Sequence, residues 1–305
     1  MTVDRTAVLA AARRIEGHIR YTPVRRHDAL DRLAGGEVFF KCENLQVAGA
    51  FKARGAMHAL LCTDRSTLVH GVATHSSGNH GAALAFAAAR LGIAAHVVVP
   101  AGANPRKREA IRQFGATVVD CGPTLAEREA ALAGIVEQTG AHIVPPYDDD
   151  RIIAGQGTAA LELVADVPGL SAVWVPVGGG GLVAGCVVAL AGSGVTVVGA
   201  EPELAGDAAL SLRTGIRQPP FPPRTIADGL RTSLGERNFA ICRDHKLAIH
   251  LVTETAIEEA QAQLTRYLSL PVEPSSAVPF AAVCAIRPGG RVGIILSGGN
   301  VDASS

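Results

Sequence analysis

Four consecutive glycines, Gly178 to Gly181, separate a strand-like apolar run from a helix-like apolar run, and no other feature limits the fold as tightly. The surrounding stretch, Pro168 to Ala200, carries no charge and is long enough to suggest a membrane span. Pro176 and the glycines break it into two short halves. They read as a buried strand over 172–177 and a buried helix over 182–190. Elements apolar on every side belong inside a parallel sheet covered by helices. Composition agrees: 48% of residues are hydrophobic but only 4% aromatic, so the core must be built from Ala, Val, Leu and Ile.

The same alternation runs through the whole chain. Val8, Leu9, Ala12, Ile15 and Ile19 fall on one face of a helix predicted over 6–19. A strand follows over 38–42, a helix over 52–61, a strand over 70–74 and an Ala-rich helix over 81–91 that ends at Gly92. Strands over 95–99, 116–120 and 142–144 follow, with a helix over 125–138. A second series reads helix 158–164, strand 172–177, helix 182–190, and strands 195–200 and 248–252. Thr255 and Glu258 are spaced as a capping box for a helix over 256–269. A helix over 276–286 and a strand over 292–296 complete the series. This pattern specifies an α/β fold with mainly parallel sheets. In such folds ligands bind beyond the carboxyl ends of strands.

Charge and cysteine usage narrow the class. The 28 basic and 28 acidic residues cancel, so no bulk attraction to nucleic acid or membrane is expected. None of the six cysteines forms a C-x-x-C pair, and most lie in apolar runs, as reduced thiols do. The N-terminal segment carries charges throughout and lacks the apolar core of a signal peptide. A cytoplasmic location is expected.

Five short segments after strands carry the chemistry. In Gly49-Ala50-Phe51-Lys52, the lysine falls at the first turn of a predicted helix, where the dipole favours a neutral, nucleophilic amine. A solvated helix lysine is the plainer reading of that residue alone. Ser76, Ser77 and Asn79, with His75 and His80 beside them, precede a helix and form a carboxylate-type anion site. A helix cap would need only one such residue. Gly178 to Gly181 let backbone wrap a phosphate. Gly179, Gly181 and Ala184, with Glu201, also fit a dinucleotide fingerprint, so a nicotinamide cofactor stays open on this motif. Ser297-Gly298-Gly299-Asn300 places a hydroxyl after the last strand, or is an ordinary turn. Glu201, Glu203 and Asp207 cluster as hard-cation ligands would, or as a solvated acidic loop.

Together with Lys41-Cys42-Glu43-Asn44-Leu45-Gln46, these segments resemble the serine/threonine dehydratase and serine racemase family of fold-type II pyridoxal-phosphate (PLP) enzymes. Their order and separations match over nearly the whole chain, which displaces the nicotinamide reading. The resemblance implies a tryptophan synthase β-like fold, with two open, mainly parallel sheets flanked by helices. It implies a large PLP-binding domain from 1–70 and 149–305 and a small domain from 71–148. It implies that Lys52 holds PLP as a Schiff base and acts as base at Cα, and that Phe51 packs near the ring. Asn79 then bonds the phenolic oxygen, and Gly178, Gly179, Gly180, Gly181 and Leu182 hold the phosphate. Glu273 lies near the ring. Ser297 accepts or donates at the pyridine nitrogen, which a neutral partner leaves largely unprotonated. Ser76, Ser77, Asn79 and His80 hold the substrate carboxylate, with Arg128 and Thr232 on the substrate side.

The closest resemblance is to the serine racemase and 3-hydroxyaspartate dehydratase subgroup. There, Ser77 matches an acid/base opposite the lysine, an arrangement that permits racemisation. Glu201, Ala205 and Asp207 match a site for Mg²⁺, Mn²⁺ or Ca²⁺. The expected reaction is loss of water from serine, threonine or 3-hydroxyaspartate, giving a keto acid and ammonia. The alternatives are a racemase using Lys52 and Ser77, and a non-catalytic PLP- or amino-acid-binding protein. A homodimer acting on a small amino acid is implied. The chain departs from many threonine dehydratases in having Ala50 rather than Ser before Phe51. No allosteric amino-acid-binding domain is expected after Asn300.

Overall fold

The computed structural model describes residues 3–76, 78–103, 105–220 and 222–301, with Arg106 by its backbone alone. The helices are α1 (Arg5–Ile15), α2 (Asp28–Ala34), α3 (Lys52–Leu61), α4 (Asn79–Leu91), α5 (Pro105–Gln113), α6 (Leu125–Thr139), α7 (Asp150–Asp166), α8 (Gly181–Leu190), α9 (Asp207–Thr214), α10 (Glu236–Asp244), α11 (Glu254–Leu268) and α12 (Pro274–Ile286). The strands are β1 (Val24–Arg25), β2 (Glu37–Lys41), β3 (Val72–His75), β4 (Ala95–Pro100), β5 (Thr117–Cys121), β6 (His142–Ile143), β7 (Ala172–Pro176), β8 (Thr196–Pro202), β9 (Ala248–Val252) and β10 (Arg291–Ile295).

Two sheets result. One has six strands in the order β1-β2-β10-β7-β8-β9, parallel except at β1. The other has four parallel strands in the order β5-β4-β3-β6. The α/β class and the two mainly parallel sheets expected from sequence are thus present. The last strand, β10, inserts between β2 and β7. That insertion brings the loops after β2, β7 and β10 to one edge of the sheet.

The uncharged stretch behaves as its composition demands. Every residue of α8 is buried, as expected for a helix apolar on all sides. It crosses α7 at a glycine pair. A Cβ on Gly185 would stand 2.4 Å from the Ile153 carbonyl oxygen and 2.6 Å from Gly157 N. Only glycine permits that approach.

Several expected boundaries move, each for a local reason. The helix predicted over 6–19 ends at Ile15, so Ile19 lies outside it. The helix predicted over 158–164 begins at Asp150, because Asp149 caps it by accepting from Arg151 N at 2.8 Å. The capping box assigned to Thr255 and Glu258 is not used. Thr253 is the cap instead, accepting from Ala256 N at 3.2 Å, and the helix starts at Glu254. Helices α2, α9 and α10 were not foreseen. They are short, and α9 and α10 have glycine at the N-cap with no side-chain capping bond.

Candidate active site

A cavity of about 630 Å³ opens between the carboxyl ends of the two sheets. Its wall includes Phe51, Lys52, Ser76, Asn79, His80, Arg128, Gly178 to Leu182, Thr232, Glu273 and Ser297. All the proposed cofactor residues and all the described substrate residues therefore converge. Ser77 lies outside the described residues.

Lys52 is the first residue of α3, which Phe51 precedes. The loop is pinned to the end of β10, where Phe51 N donates to the Ser297 carbonyl at 3.0 Å. Lys52 Nζ donates to the Pro146 carbonyl at 2.7 Å and lies 5.2 Å from the centre of the Phe51 ring. Loss of water around the ammonium pulls its pKa down to about 8. Such an amine is available as a nucleophile near neutral pH.

The start of α8 lines the same cavity. Gly180 is its N-cap, with φ at 91°, and no side chain caps the helix. The first turn holds no acid. Its backbone N–H groups and helix dipole are suited to a phosphate. A half-buried amine and an uncapped glycine helix start on one cavity fit PLP, which carries an aldehyde and a phosphate.

Asn79 and His80 were expected in a loop, but they open α4. Asn79 Nδ2 donates to both Glu273 carboxylate oxygens at 3.0 Å, and Asn79 Oδ1 accepts from Asn300 Nδ2 at 2.9 Å. Glu273 also accepts from Asn300 N at 2.9 Å. Burial pushes its pKa up to about 7. His80 Nε2 lies 3.1 Å from the Val144 carbonyl oxygen. Burial first, then Lys52, push its pKa down to about 3, so the ring is neutral and donates to that carbonyl. His80 therefore offers no positive charge to a carboxylate. Arg128 lines the cavity from α6 and donates to the Thr124 carbonyl at 3.3 Å. Thr232 Oγ1 lies 3.3 Å from where a Cβ on Gly178 would be.

Four further side chains support the site. Tyr147 lies flat against the glycine loop, since a Cβ on Gly179 would meet its ring at 2.5 Å. Asn238 Nδ2 holds the Gly179 carbonyl at 2.7 Å. Asn300 orients Asn79, and Ser276 contacts Ser297. No backbone period marks them. Asn300 alone carried a signal, as the end of the Ser297–Asn300 segment.

Glu201 and Asp207 meet at the start of α9. Glu201 accepts from Ala208 N at 3.0 Å and Ala209 N at 2.9 Å, and Asp207 accepts from Leu234 N at 2.9 Å. Burial pushes Glu201 up to about 8, and the neighbouring Asp207 adds to the rise. Two buried carboxylates with the Ala205 backbone nearby are oxygen donors that fit a hard divalent cation. Among the described residues, no group of three or more His, Cys, Asp or Glu side chains gathers as metal ligands. A cation here would therefore need backbone or water oxygens as well.

Known proteins similar to this chain point to one family. Residues 15–298 match the family model described as pyridoxal-phosphate dependent enzyme. The chain is 42% identical over 300 residues to a beta-hydroxyaspartate dehydratase of Paracoccus denitrificans, covering 97% of this chain and 95% of that protein. It is 43% identical to a serine racemase of Dictyostelium discoideum, covering 100% of this chain and 97% of that one. The solved structure of maize serine racemase superposes with a TM-score of 0.96 at 36% identity, covering 100% of this chain and 95% of that one.

Proposed function

We infer what the chain does from one premise: it belongs to the pyridoxal-phosphate-dependent enzyme family. The function is that of a PLP-dependent lyase, a dehydratase that removes water from a small β-hydroxy amino acid to leave a keto acid and ammonia. The observation that carries this is a lysine amine held near pKa 8 and an uncapped glycine helix start on one cavity. When bound, PLP supplies the electron sink for deprotonation at Cα.

The chain's own groups supply the rest of the proposal. Gly178 to Gly181, with Leu182, bind the phosphate through backbone N–H groups. Asn79 donates to the phenolic oxygen, fixed from behind by Glu273 and Asn300. Ser297 meets the ring nitrogen. Lys52 takes the Cα proton, and Ser76, Asn79, Arg128 and Thr232 orient the substrate, with His80 as a neutral wall beside them. Segment 71–148, which holds the four-stranded sheet, acts as a small domain that closes on substrate and excludes water. An ion pair between Lys107 of α5 and Asp228 joins it across the cavity mouth to the rest of the chain. Glu201, Ala205 and Asp207 hold a divalent cation, and the protein works as a homodimer.

Similarity to serine racemases favours a second activity, racemisation with Lys52 and Ser77 as bases on opposite faces of Cα. The test is a panel of serine, threonine and hydroxyaspartate isomers read for keto acid and for inverted amino acid, with and without chelator. Keto acid from at least one of them supports the dehydratase. A Ser77→Ala variant that keeps elimination but loses inversion supports the second activity. Failure to release keto acid from any of them sinks the dehydratase reading.

A further inference from the structure

A run of four glycines has no side chain to fix its backbone, so its shape must be held from outside. The hold is at one atom. The Gly179 carbonyl oxygen accepts from Asn238 Nδ2 at 2.7 Å and from Gly235 N at 3.1 Å. A trans peptide is planar, so its C=O and N–H point in opposite directions. Fixing the Gly179 carbonyl toward α10 therefore turns the Gly180 N–H away from α10, on a loop that lines the cavity. If that peptide unit turned over, a carbonyl oxygen would stand where a donor is needed.

Both donors sit at the start of α10, and that start has no cap of its own. Gly235 is at the N-cap and offers no side chain. Asp148 takes the role from the loop before α7. Its Oδ2 accepts from Glu236 N at 3.0 Å, and its Oδ1 accepts from Arg237 N at 3.0 Å and Asn238 N at 3.4 Å. One carboxylate thus serves the first three N–H groups of α10, which have no partner within the helix. Its charge also lies at the positive end of the helix dipole. The neighbouring Asp149 instead caps its own helix, α7.

Resting on the reading that the glycine loop holds the phosphate of PLP, we propose that Asp148 is a positioning residue for that phosphate. It fixes the start of α10, α10 fixes the Gly179 carbonyl, and the Gly180 N–H is left for the phosphate. Asp148 also lines the cavity. By charge alone, its removal would strengthen the binding of an anion. The positioning role has the opposite sign.

The test compares PLP with pyridoxal, which lacks the phosphate. Each is titrated into the full-length apoprotein and followed by visible absorbance, so that the ratio of the two affinities reports the phosphate. Asp148→Ala should lower that ratio by about fivefold to thirtyfold, the change that a lost helix cap corresponds to. Asp148→Asn, which keeps one acceptor oxygen, should lie between this and wild type. If Asp148→Ala does not fold, Asp148→Asn is read instead for the same direction of change. Asp149→Ala, which uncaps α7, should keep the wild-type ratio. An unchanged or raised ratio in Asp148→Ala overturns the proposal, as does an equal loss in Asp149→Ala. Gly180→Ala separates the two layers. If it leaves the ratio unmoved, the glycine loop does not hold the phosphate and the underlying reading falls too. If it lowers the ratio while Asp148→Ala does not, the Asp148 role alone falls.

Discussion

Replacing Gly180 by alanine should damage both folding and cofactor binding, and the structure separates the two effects. Gly180 has φ at 91°, and a Cβ there would lie 2.4 Å from Leu234 Cδ1 and 2.7 Å from Asn238 Cβ. The left-handed backbone costs an L-residue roughly 1–2 kcal/mol. Overpacking adds typically about 1–3 kcal/mol. The sum is about 2–5 kcal/mol. Gly192 is the matched control: its φ is 74°, and nothing lies within 4 Å of its Cβ. Gly192→Ala should therefore cost only the conformational share, about 1–2 kcal/mol. At roughly 2–4 °C of melting temperature per kcal/mol, Gly180→Ala should melt well below Gly192→Ala. Asn238 also holds the Gly179 carbonyl, so displacing it disturbs the loop assigned to the phosphate. PLP titration followed by visible absorbance should show weaker binding for Gly180→Ala and wild-type binding for Gly192→Ala. Equal thermal losses in the two variants, or wild-type PLP affinity in Gly180→Ala, would refute the argument.

Four further outcomes follow from the charged groups. With its pKa near 8, about half of Lys52 is neutral at pH 8, against about one in three hundred for an ordinary lysine. Uptake of PLP by the apoprotein should accelerate with pH and level off above about 8. Acceleration that continues to about pH 10 contradicts the assignment. Glu273, raised from 4.5 to about 7, contributes stability that is fully present below 4.5 and lost as pH rises through 7. Glu273→Gln should thus gain on wild type between about pH 5 and 8, by on the order of 3 kcal/mol, and parallel melting-temperature curves would exclude this. Arg54 is fully buried and paired at 2.7 Å with both Glu43 and Glu162. Glu43→Ala leaves its charge part-compensated and should cost about 3–5 kcal/mol in urea unfolding. Mg²⁺ should raise the melting temperature of wild type but not of Glu201→Gln, and an equal rise in both would remove Glu201 from the cation site.

The sequence made the framework legible because strand ends announce themselves. The glycine run, the Phe51-Lys52 turn and the Ser297 turn each follow an apolar strand, and β10 between β2 and β7 draws the three together. What it could not show were the side chains that hold those turns from behind. Asn238, Ser276 and Tyr147 reach the site from α10, α12 and the loop before α7, and only tertiary packing decides where they point. His80 illustrates the opposite limit. Its place beside Ser76 suggested a carboxylate ligand, but burial and the Val144 carbonyl make it a neutral wall residue. The Thr255 cap failed because a threonine two residues earlier serves equally well, and local pattern cannot choose between them.

The account stands or falls on Lys52 as the residue that bonds PLP. Borohydride reduction of the PLP-loaded protein, followed by peptide mapping with mass spectrometry, tests this directly. The chain has only three other lysines, Lys41, Lys107 and Lys246. The account predicts one phosphopyridoxyl group per chain, on Lys52, and no visible cofactor absorbance in Lys52→Ala. A label on one of the other three lysines, or no label at all, would contradict it.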